Sequence, residues 1–238
     1  MGDFVHLHNH THYSLQDAAC TVPDLIAATV ENDQHAIALT DHGVMFGVSE
    51  FAKKAQKAGV KPIIGVEAYV NFEGSRFDKG TEGGGRKKSK YYNHLVLLAK
   101  NKEGYKNLVK MITIGYTEGF YYKPRIDVDI LREMSEGLIC TSACAAGPVS
   151  APLINGDYAK AKENAILLKE IFGDDFYLEI QDHGLDIDKP ILEGVPKLSK
   201  ELNIKIMATN DIHYIKQDHS IAHNILLLLG DKTGPPKT

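Results

Sequence analysis

Four histidines alternate near the start of the chain, in the run His6-Leu7-His8-Asn9-His10-Thr11-His12. In an extended segment alternate side chains share a face, so this run can present a clamp of imidazoles to a metal ion. Spacing alone does not choose among the four, and a single His-x-His fits polar residues at a strand end equally well. Further donors recur along the chain at Asp41-His42, Glu67, Cys144, Asp211 and His213. Imidazole, carboxylate and thiolate together suit borderline ions such as Zn, Mn or Fe better than they suit calcium. Clustered cations lower the pKa of a bridging water, bind phosphoryl oxygens and neutralise charge on a leaving oxygen. The chemistry such a set points to is metal-assisted hydrolysis, of which phosphate esters are one substrate class. Cys144 can also be read as a nucleophile, but the ligand reading accounts for more of the chain.

These donors must be held by elements that bring them together. Apolar, β-rich runs stand at Phe4–Leu7, Ala36–Leu39, Pro62–Val70, Leu95–Ala99, Leu138–Thr141, Phe176–Ile180 and Ile204–Ala208, which predicts about seven strands. Between the first two, Thr21 caps a helix with Pro23 and Asp24 in its first turn. Helical patterns follow near Phe46–Ala58, Lys102–Ile114, Tyr158–Phe172 and Lys189–Leu202. Repeated β-then-α order predicts parallel strands with right-handed crossovers, and a (β/α)-barrel over an open doubly wound sheet. The donor groups lie near the predicted strand ends, where barrel sites form. His94 is the exception among candidate donors, since it precedes its strand. Either that strand begins earlier, at Tyr91, or it runs in the opposite direction to its neighbours.

The chain has 238 residues, 43% hydrophobic and 24% charged, which is enough to bury a sizeable core as one large domain. No apolar run reaches the length of a membrane span, no signal peptide opens the chain, and three cysteines (Cys20, Cys140, Cys144) do not make a disulfide framework. A cytoplasmic location is expected. A net charge of −4 argues against broad electrostatic attraction to nucleic acid, though not against a local patch. Two local patches exist, Arg86-Lys87-Lys88-Ser89-Lys90-Tyr91-Tyr92 and Tyr121-Tyr122-Lys123-Pro124-Arg125, both pairing rings with cations. The first also reads as a solvated loop, and the glycine-rich segment Phe72–Lys90 is expected to be mobile. Glu179-Ile180-Gln181-Asp182-His183 either lines the pocket or caps the next turn. Residues 216–238, with the apolar run Ile221–Leu229 and then Gly234-Pro235-Pro236, read as the start of a connection following a domain of residues 1–215.

Four stretches resemble the motifs of the PHP (polymerase and histidinol phosphatase) family: Leu7-His8-Asn9-His10-Thr11 through Ser14 and Asp17, Leu39-Thr40-Asp41-His42-Gly43, Gly65-Val66-Glu67-Ala68-Tyr69, and Ala208-Thr209-Asn210-Asp211-Ile212-His213-Tyr214. Three more, Asn93-His94-Leu95-Val96-Leu97-Leu98-Ala99, Gly119-Phe120-Tyr121-Tyr122-Lys123-Pro124-Arg125 and Gly137-Leu138-Ile139-Cys140-Thr141-Ser142-Ala143-Cys144, resemble the N-terminal PHP domains of bacterial DNA polymerase III α subunits. The likeness covers nearly the whole chain.

The resemblance implies a distorted seven-stranded α/β barrel with a metal site at one barrel face. It puts the ligands at His8, His10, Asp17, His42, Glu67, His94, Cys144, Asp211 and His213, with no position lost. It implies up to three divalent ions: one held by His8, His10, Glu67 and Asp211, a second by Glu67, His94 and Cys144, a third by Asp17, His42 and His213. Asp17, His42 and Glu67 are the catalytic candidates. His12, Tyr122, Lys123 and Arg125 are candidate substrate contacts, and His6 stands outside the set. The implied function is a 3′–5′ exonuclease on single-stranded DNA ends. Its expected partners are DNA, the remainder of a polymerase α subunit, a separate exonuclease subunit and a sliding clamp. The competing readings are a metal-braced scaffold without activity and a free-standing phosphatase of the histidinol phosphatase type.

Overall fold

The structure, a computed structural model, describes residues 4–79 and 92–230. Strand β1 (Ala36–Leu39) is buried along its whole length and pairs in parallel with the first half of β2 (Lys61–Asn71). A short run that is apolar on both faces is what a strand covered on both sides requires. The second half of β2 pairs antiparallel with β3 (Asn93–Ala99), which pairs antiparallel with β6 (Leu138–Thr141). Two more parallel steps lead to β7 (Phe176–Ile180) and β8 (Lys205–Ala208).

The first expected strand, Phe4–Leu7, does not form a continuous ladder. Instead His6 bridges Ile37 and Asn9 bridges Ile212, with Ala38 N donating to His6 O (2.9 Å), Thr40 N to Asn9 O (3.0 Å), and His10 N to Ile212 O (2.8 Å). This segment therefore lies between β1 and the chain beyond β8 and joins the two ends of the sheet. The expectation of uniformly parallel strands is corrected at β3, which is reversed. A hairpin not anticipated from sequence, β4 (Phe120–Tyr121) and β5 (Lys123–Asp127), sits at the edge, with β5 parallel to the end of β2.

The helices follow their local signals. Thr21 and Asp24 form a reciprocal capping box on α1 (Val22–Glu31), and the hydrophobic face of α2 (Val48–Lys57) buries Val48, Phe51 and Ala55. Asn101 caps α3 (Lys102–Thr117), Asp127 caps the short α4 (Val128–Met134), and Asp157 caps α6 (Tyr158–Phe172). With α5 (Ser150–Ile154) and α7 (Asp188–Leu202), α3, α4 and α6 cover the outer face of the sheet over one large core; α1 and α2 cover β1 over a second. Helix α8 (Ser220–Gly230) ends the described chain. Residues 80–91 and 231–238, with the basic run at 86–90, lie outside the described residues. The described part of the 72–90 segment is tied down: Asn71 Nδ2 donates to Ser75 O (2.7 Å), and Arg76 pairs with Glu118 (2.8 Å) and Asp127 (3.1 Å).

Candidate metal centre

Register assigns the inner face. Gly65, Glu67 and Tyr69 of β2 stand opposite Leu98, Val96 and His94 of β3, which in turn face Ile139 and Thr141 of β6. Alternation sends all of these into the lumen. One end of it is plugged by Ala38, Val96, Leu98, Ala143, Ile63 and Ile139. The other end holds Glu67 and the histidines. The reversal of β3 is what brings His94 here: with its direction inverted, the first turn of the strand lies at the rim where the parallel strands finish. Gly43, in the left-handed region at φ +61°, turns the chain directly after His42 beneath the Tyr69 ring.

Glu67 is fully buried and central. Its Oε2 lies 2.8 Å from His42 Nδ1, 3.1 Å from His10 Nε2 and 3.4 Å from His8 Nε2, and its Oε1 lies 2.9 Å from His94 Nδ1 and 3.5 Å from Cys144 Sγ. Asp211 Oδ1 is 3.2 Å from His10 Nε2 and 3.3 Å from His8 Nε2. Asp17 Oδ2 is 2.6 Å from His42 Nε2 and 3.4 Å from His213 Nε2. The nine residues expected from the resemblance therefore converge in one place.

A second layer orients them. Glu179, buried at the end of β7, accepts from His8 Nδ1 at 2.7 Å and is itself held by Thr141, Thr209 and Gln181 Nε2 (3.0 Å). Asp41 accepts from Thr11 N and from Ser14 Oγ, both at 2.7 Å. The Ser14 hydroxyl, its proton given to Asp41, accepts from His10 Nδ1 and from His42 N, both at 3.1 Å. Both arrangements engage Nδ1 and so orient the rings with Nε2 of His8 and His10 facing Glu67 and Asp211, where a cation would take the place of any Nε2 proton. Glu179 fell in a segment whose alternatives were pocket wall or turn cap. The segment does both: Glu179, Gln181 and His183 line a small cavity beside the cluster, and Asp182 takes the turn amide of Gly184, while Asp188 takes that of His183.

The electrostatics are those of a cluster of opposite charges out of water. Burial lowers the pKa of His42, but the Glu67 and Asp17 carboxylates outweigh it and push the ring up to about 10. Burial likewise opposes the charge on His8, yet Asp211, Glu179 and Glu67 hold its pKa well above the ordinary value. Burial raises Asp17, Glu67 and Asp211, and the surrounding imidazoles outweigh it in each case and hold them below the usual carboxylate range. The Cys144 thiol is pushed up by burial and by Glu67 and Asp211, so these neighbours do not prepare a thiolate nucleophile.

Donor chemistry and unsatisfied valence test whether cations fit. His8 Nε2, His10 Nε2, His42 Nδ1, Glu67 Oε2 and Asp211 Oδ1 are buried polar atoms without a hydrogen-bond partner. Such atoms are costly to leave unpaired, and all five point into the same small volume. Three groups of residues have donor atoms within 4.8 Å of one another: His8, His10 and Asp211; His10, His42 and His213; His42, Glu67 and His94. The residues fit divalent cations.

A cleft of about 490 Å³ opens on this cluster, with Asp17, His42 and His94 on its floor and Tyr69, Tyr122 and Lys123 among its walls. Tyr122 and Lys123, two of the candidate substrate contacts, line this cleft. Arg125 does not: it is buried, its Nε donating to Gly119 O (3.1 Å) and its Nη2 to Arg76 O (2.9 Å), so it pins the β4–β5 hairpin to the segment after β2. His12 is exposed, its ring 4.3 Å from Tyr13, and it does not line the cleft. His6 faces a separate cavity.

No described helix is long and apolar enough to cross a membrane. The chain is 46% identical over 99% of its length to the DNA polymerase III subunit alpha of Borreliella burgdorferi, and 44% identical over 97% to that of Thermus aquaticus. It spans about a fifth of the length of these relatives. In fold alone it is similar to an amidohydrolase from Chromobacterium violaceum, at 13% identity and a TM-score of 0.50, covering 91% of this chain and 89% of that one. Residues 6–183, which span the staves from the histidine run to the strand bearing Glu179, match the PHP domain. By that match the chain belongs to the PHP domain family.

Proposed function

We propose that this PHP domain is part of a DNA polymerase III α subunit and acts as a metal-dependent phosphodiesterase that removes nucleotides from the 3′ end of single-stranded DNA. The observation that carries the reading is the unbroken set of nine converging donors, three of which (Asp17, His42 and His94) form the floor of a cleft walled by tyrosines and Lys123. His8, His10, Glu67 and Asp211 would hold one ion, Glu67, His94 and Cys144 a second, and Asp17, His42 and His213 a third, Zn, Mn and Fe all suiting the donors. Bound divalent ions act as Lewis acids that supply a nucleophile from water at neutral pH and neutralise phosphoryl charge. The protein orients the donors through Glu179, Asp41 and Ser14, and excludes water behind Glu67 with the apolar plug. The Asp17 and His42 side chains face the cleft and share a proton between Oδ2 and Nε2, 2.6 Å apart, which a bound cation would displace. The partners of this reading are the DNA strand, the rest of the cytoplasmic polymerase chain, a separate exonuclease subunit and a sliding clamp.

Asp17→Ala and His42→Ala test it in the full-length protein, with folding followed by circular dichroism and metal content by elemental analysis. Loss of release from a 3′-labelled single strand with retained folding supports the enzyme. Unchanged release in metal-replete buffer, or preference for histidinol phosphate over the strand, refutes it. One observation favours a scaffold as the second reading, namely that donors come from six separate parts of the barrel wall, so that bound ions would brace it. Full metal occupancy with no hydrolysis of any ester is the outcome that selects it.

A further inference from the structure

Among the described residues, three cavities are lined in part by the donors, and they differ in chemistry. The largest, about 640 Å³, presents Asp17, Asp182 and Asp211 with no lysine or arginine among its lining residues. A smaller one of about 250 Å³ carries Glu179, Asp188 and Asp211, again without a cation. The third, the cleft already described, has Asp17 as its one acid and Lys123 as its cation, with Lys123 Nζ 5.1 Å from the centre of the Tyr69 ring. Of the three, the third is the one lined by a lysine, and so it is the one best suited to a polyanion.

The rim of that third cleft is apolar and outward-facing. Leu15 is 78% exposed, Tyr122 76%, Phe46 66% and Phe120 54%. Single exposed apolar side chains are ordinary, but four around one mouth mark a binding site. They come from three parts of the backbone: Leu15 from the loop that carries Asp17, Phe46 from the turn between His42 and α2, and Phe120 and Tyr122 from the β4–β5 hairpin. Tyr122 sits at the hairpin tip with φ +60°, between the paired residues Tyr121 and Lys123. A tyrosine pays for that conformation, and its ring stands out into solvent all the same.

We propose that Phe46 and Tyr122 form a stacking clamp for one unpaired nucleobase at the strand terminus, with Lys123 taking the adjoining phosphate, so that the cleft selects frayed or mismatched ends over paired ones. This rests on the phosphodiesterase reading above and names its specificity determinants. Aromatic faces bind every base alike, which suits an activity indifferent to sequence. The cleft volume, about 490 Å³, falls within the range of roughly 300–1,000 Å³ typical of sites for single small ligands, a size that suits one splayed nucleotide.

The test compares oligonucleotides identical except at the 3′ terminus, which is either adenosine or a base-free tetrahydrofuran nucleotide, on the full-length protein. Phe46→Ala combined with Tyr122→Gly removes both rings; glycine is the residue best suited to the Tyr122 backbone, so the second change does not strain the hairpin. The expected result is at least a tenfold rise in KM for the base-bearing strand, with kcat within twofold and with the base-free strand cleaved equally by both proteins. Tyr122→Phe restores the unaltered KM. Equal losses on both strands, or none on either, overturn the clamp. If no protein hydrolyses either strand, the phosphodiesterase reading fails alone, and fluorescence anisotropy of the labelled strands still decides the clamp. Equal binding of base-bearing and base-free strands by the unaltered protein overturns it, which is the outcome expected if the rim instead served a protein partner.

Discussion

At the scale of the residue, Glu67 and Glu179 divide the labour of the cluster. Glu67 meets His8, His10, His42, His94 and Cys144 directly, whereas Glu179 hydrogen-bonds to one of the nine donors, His8, and works through it. Carboxylates that orient a ligating imidazole typically contribute 10–100-fold in metal affinity, so Glu179→Gln is expected to weaken the tightest-bound ion roughly 10–100-fold, measured by competition with a chelator. Unchanged affinity would show that His8 is held by packing alone. The titrating groups give a second prediction. His8, His42 and His213 have folded pKa values above their ordinary one of about 6.5, so in metal-stripped protein their stabilisation is complete below about pH 6.5 and is lost as pH rises, for His42 through about 10. Asp17, Glu67 and Asp211 are held low, so their contribution is present above about pH 4 and is lost as pH falls. The stripped protein should therefore melt at highest temperature between about pH 4.5 and 6.5 and at falling temperature beyond. Metal-loaded protein should show the reverse trend from pH 5 to 8, because protons compete with cations for imidazole; parallel melting curves would rule out competition at these residues. The donor residues were legible in sequence because their types are rare in combination. Arg125 was misjudged because a cation beside tyrosines looks the same in sequence whether it faces a ligand or two carbonyl groups. Asp41 and Glu179 differ from surface carboxylates only by the neighbours that folding brings them.

At the scale of the element, regular segments were plain and irregular ones were not. Helix α6 and strands β1, β6 and β7 fall on the residues their patterns indicate, since unbroken apolar runs and capped amphipathic stretches carry their own boundaries. The direction of β3 was not legible: Leu95–Leu98 is apolar on both faces, which reports burial and says nothing of orientation. Strand β5 was hidden by Lys123, Pro124, Arg125 and Asp127, and α4 has only seven residues. The Phe4–Leu7 segment makes bridges instead of a ladder because its neighbours on either side, β1 and Ile212, each contact it only briefly. Helix α3 shows how closely elements are fitted. A Cβ on Gly104 would lie 1.8 Å from Gly137 O and 2.5 Å from Gly137 C, backbone atoms that cannot rotate away. Gly104→Ala is expected to destabilise the protein by about 3 kcal/mol in urea unfolding, against about 1 kcal/mol for loss of the helix cap in Asn101→Ala. A cost below that of the cap variant would mean that α3 is free to shift.

At the scale of the whole molecule, the donors come from staves that are far apart in sequence, from His8 to His213, and the short 6–10 segment closes the ring between β1 and Ile212. Ions bound at such a hub must stabilise the folded chain by mass action. At a free concentration a thousand times the dissociation constant one site adds about 4 kcal/mol, and a chain of this size shifts by roughly 2–4 °C per kcal/mol. Chelation is therefore expected to lower the melting temperature by about 10 °C in calorimetry. A shift within error would mean that no tight site exists. Barrel class was legible from the alternation of strands and helices, but closure was not, since it depends on a handful of main-chain contacts at the two ends of the sheet.

The reversed β3 has a consequence for how this domain tolerates change. In a regular barrel the link after β2 would cross to the far side, and its length would be fixed by the helix it contains. Here Val70 and Asn93 are paired across adjacent strands, roughly 5 Å apart, so the link leaves and returns at neighbouring points beside the mouth of the site. A chain excursion with adjoining ends costs little to lengthen. Because residues 71–76 are tied to the barrel, a peptide or folded reporter with close termini is best spliced in between residues 79 and 92, where it would stand beside the mouth of the site while every stave stays in register.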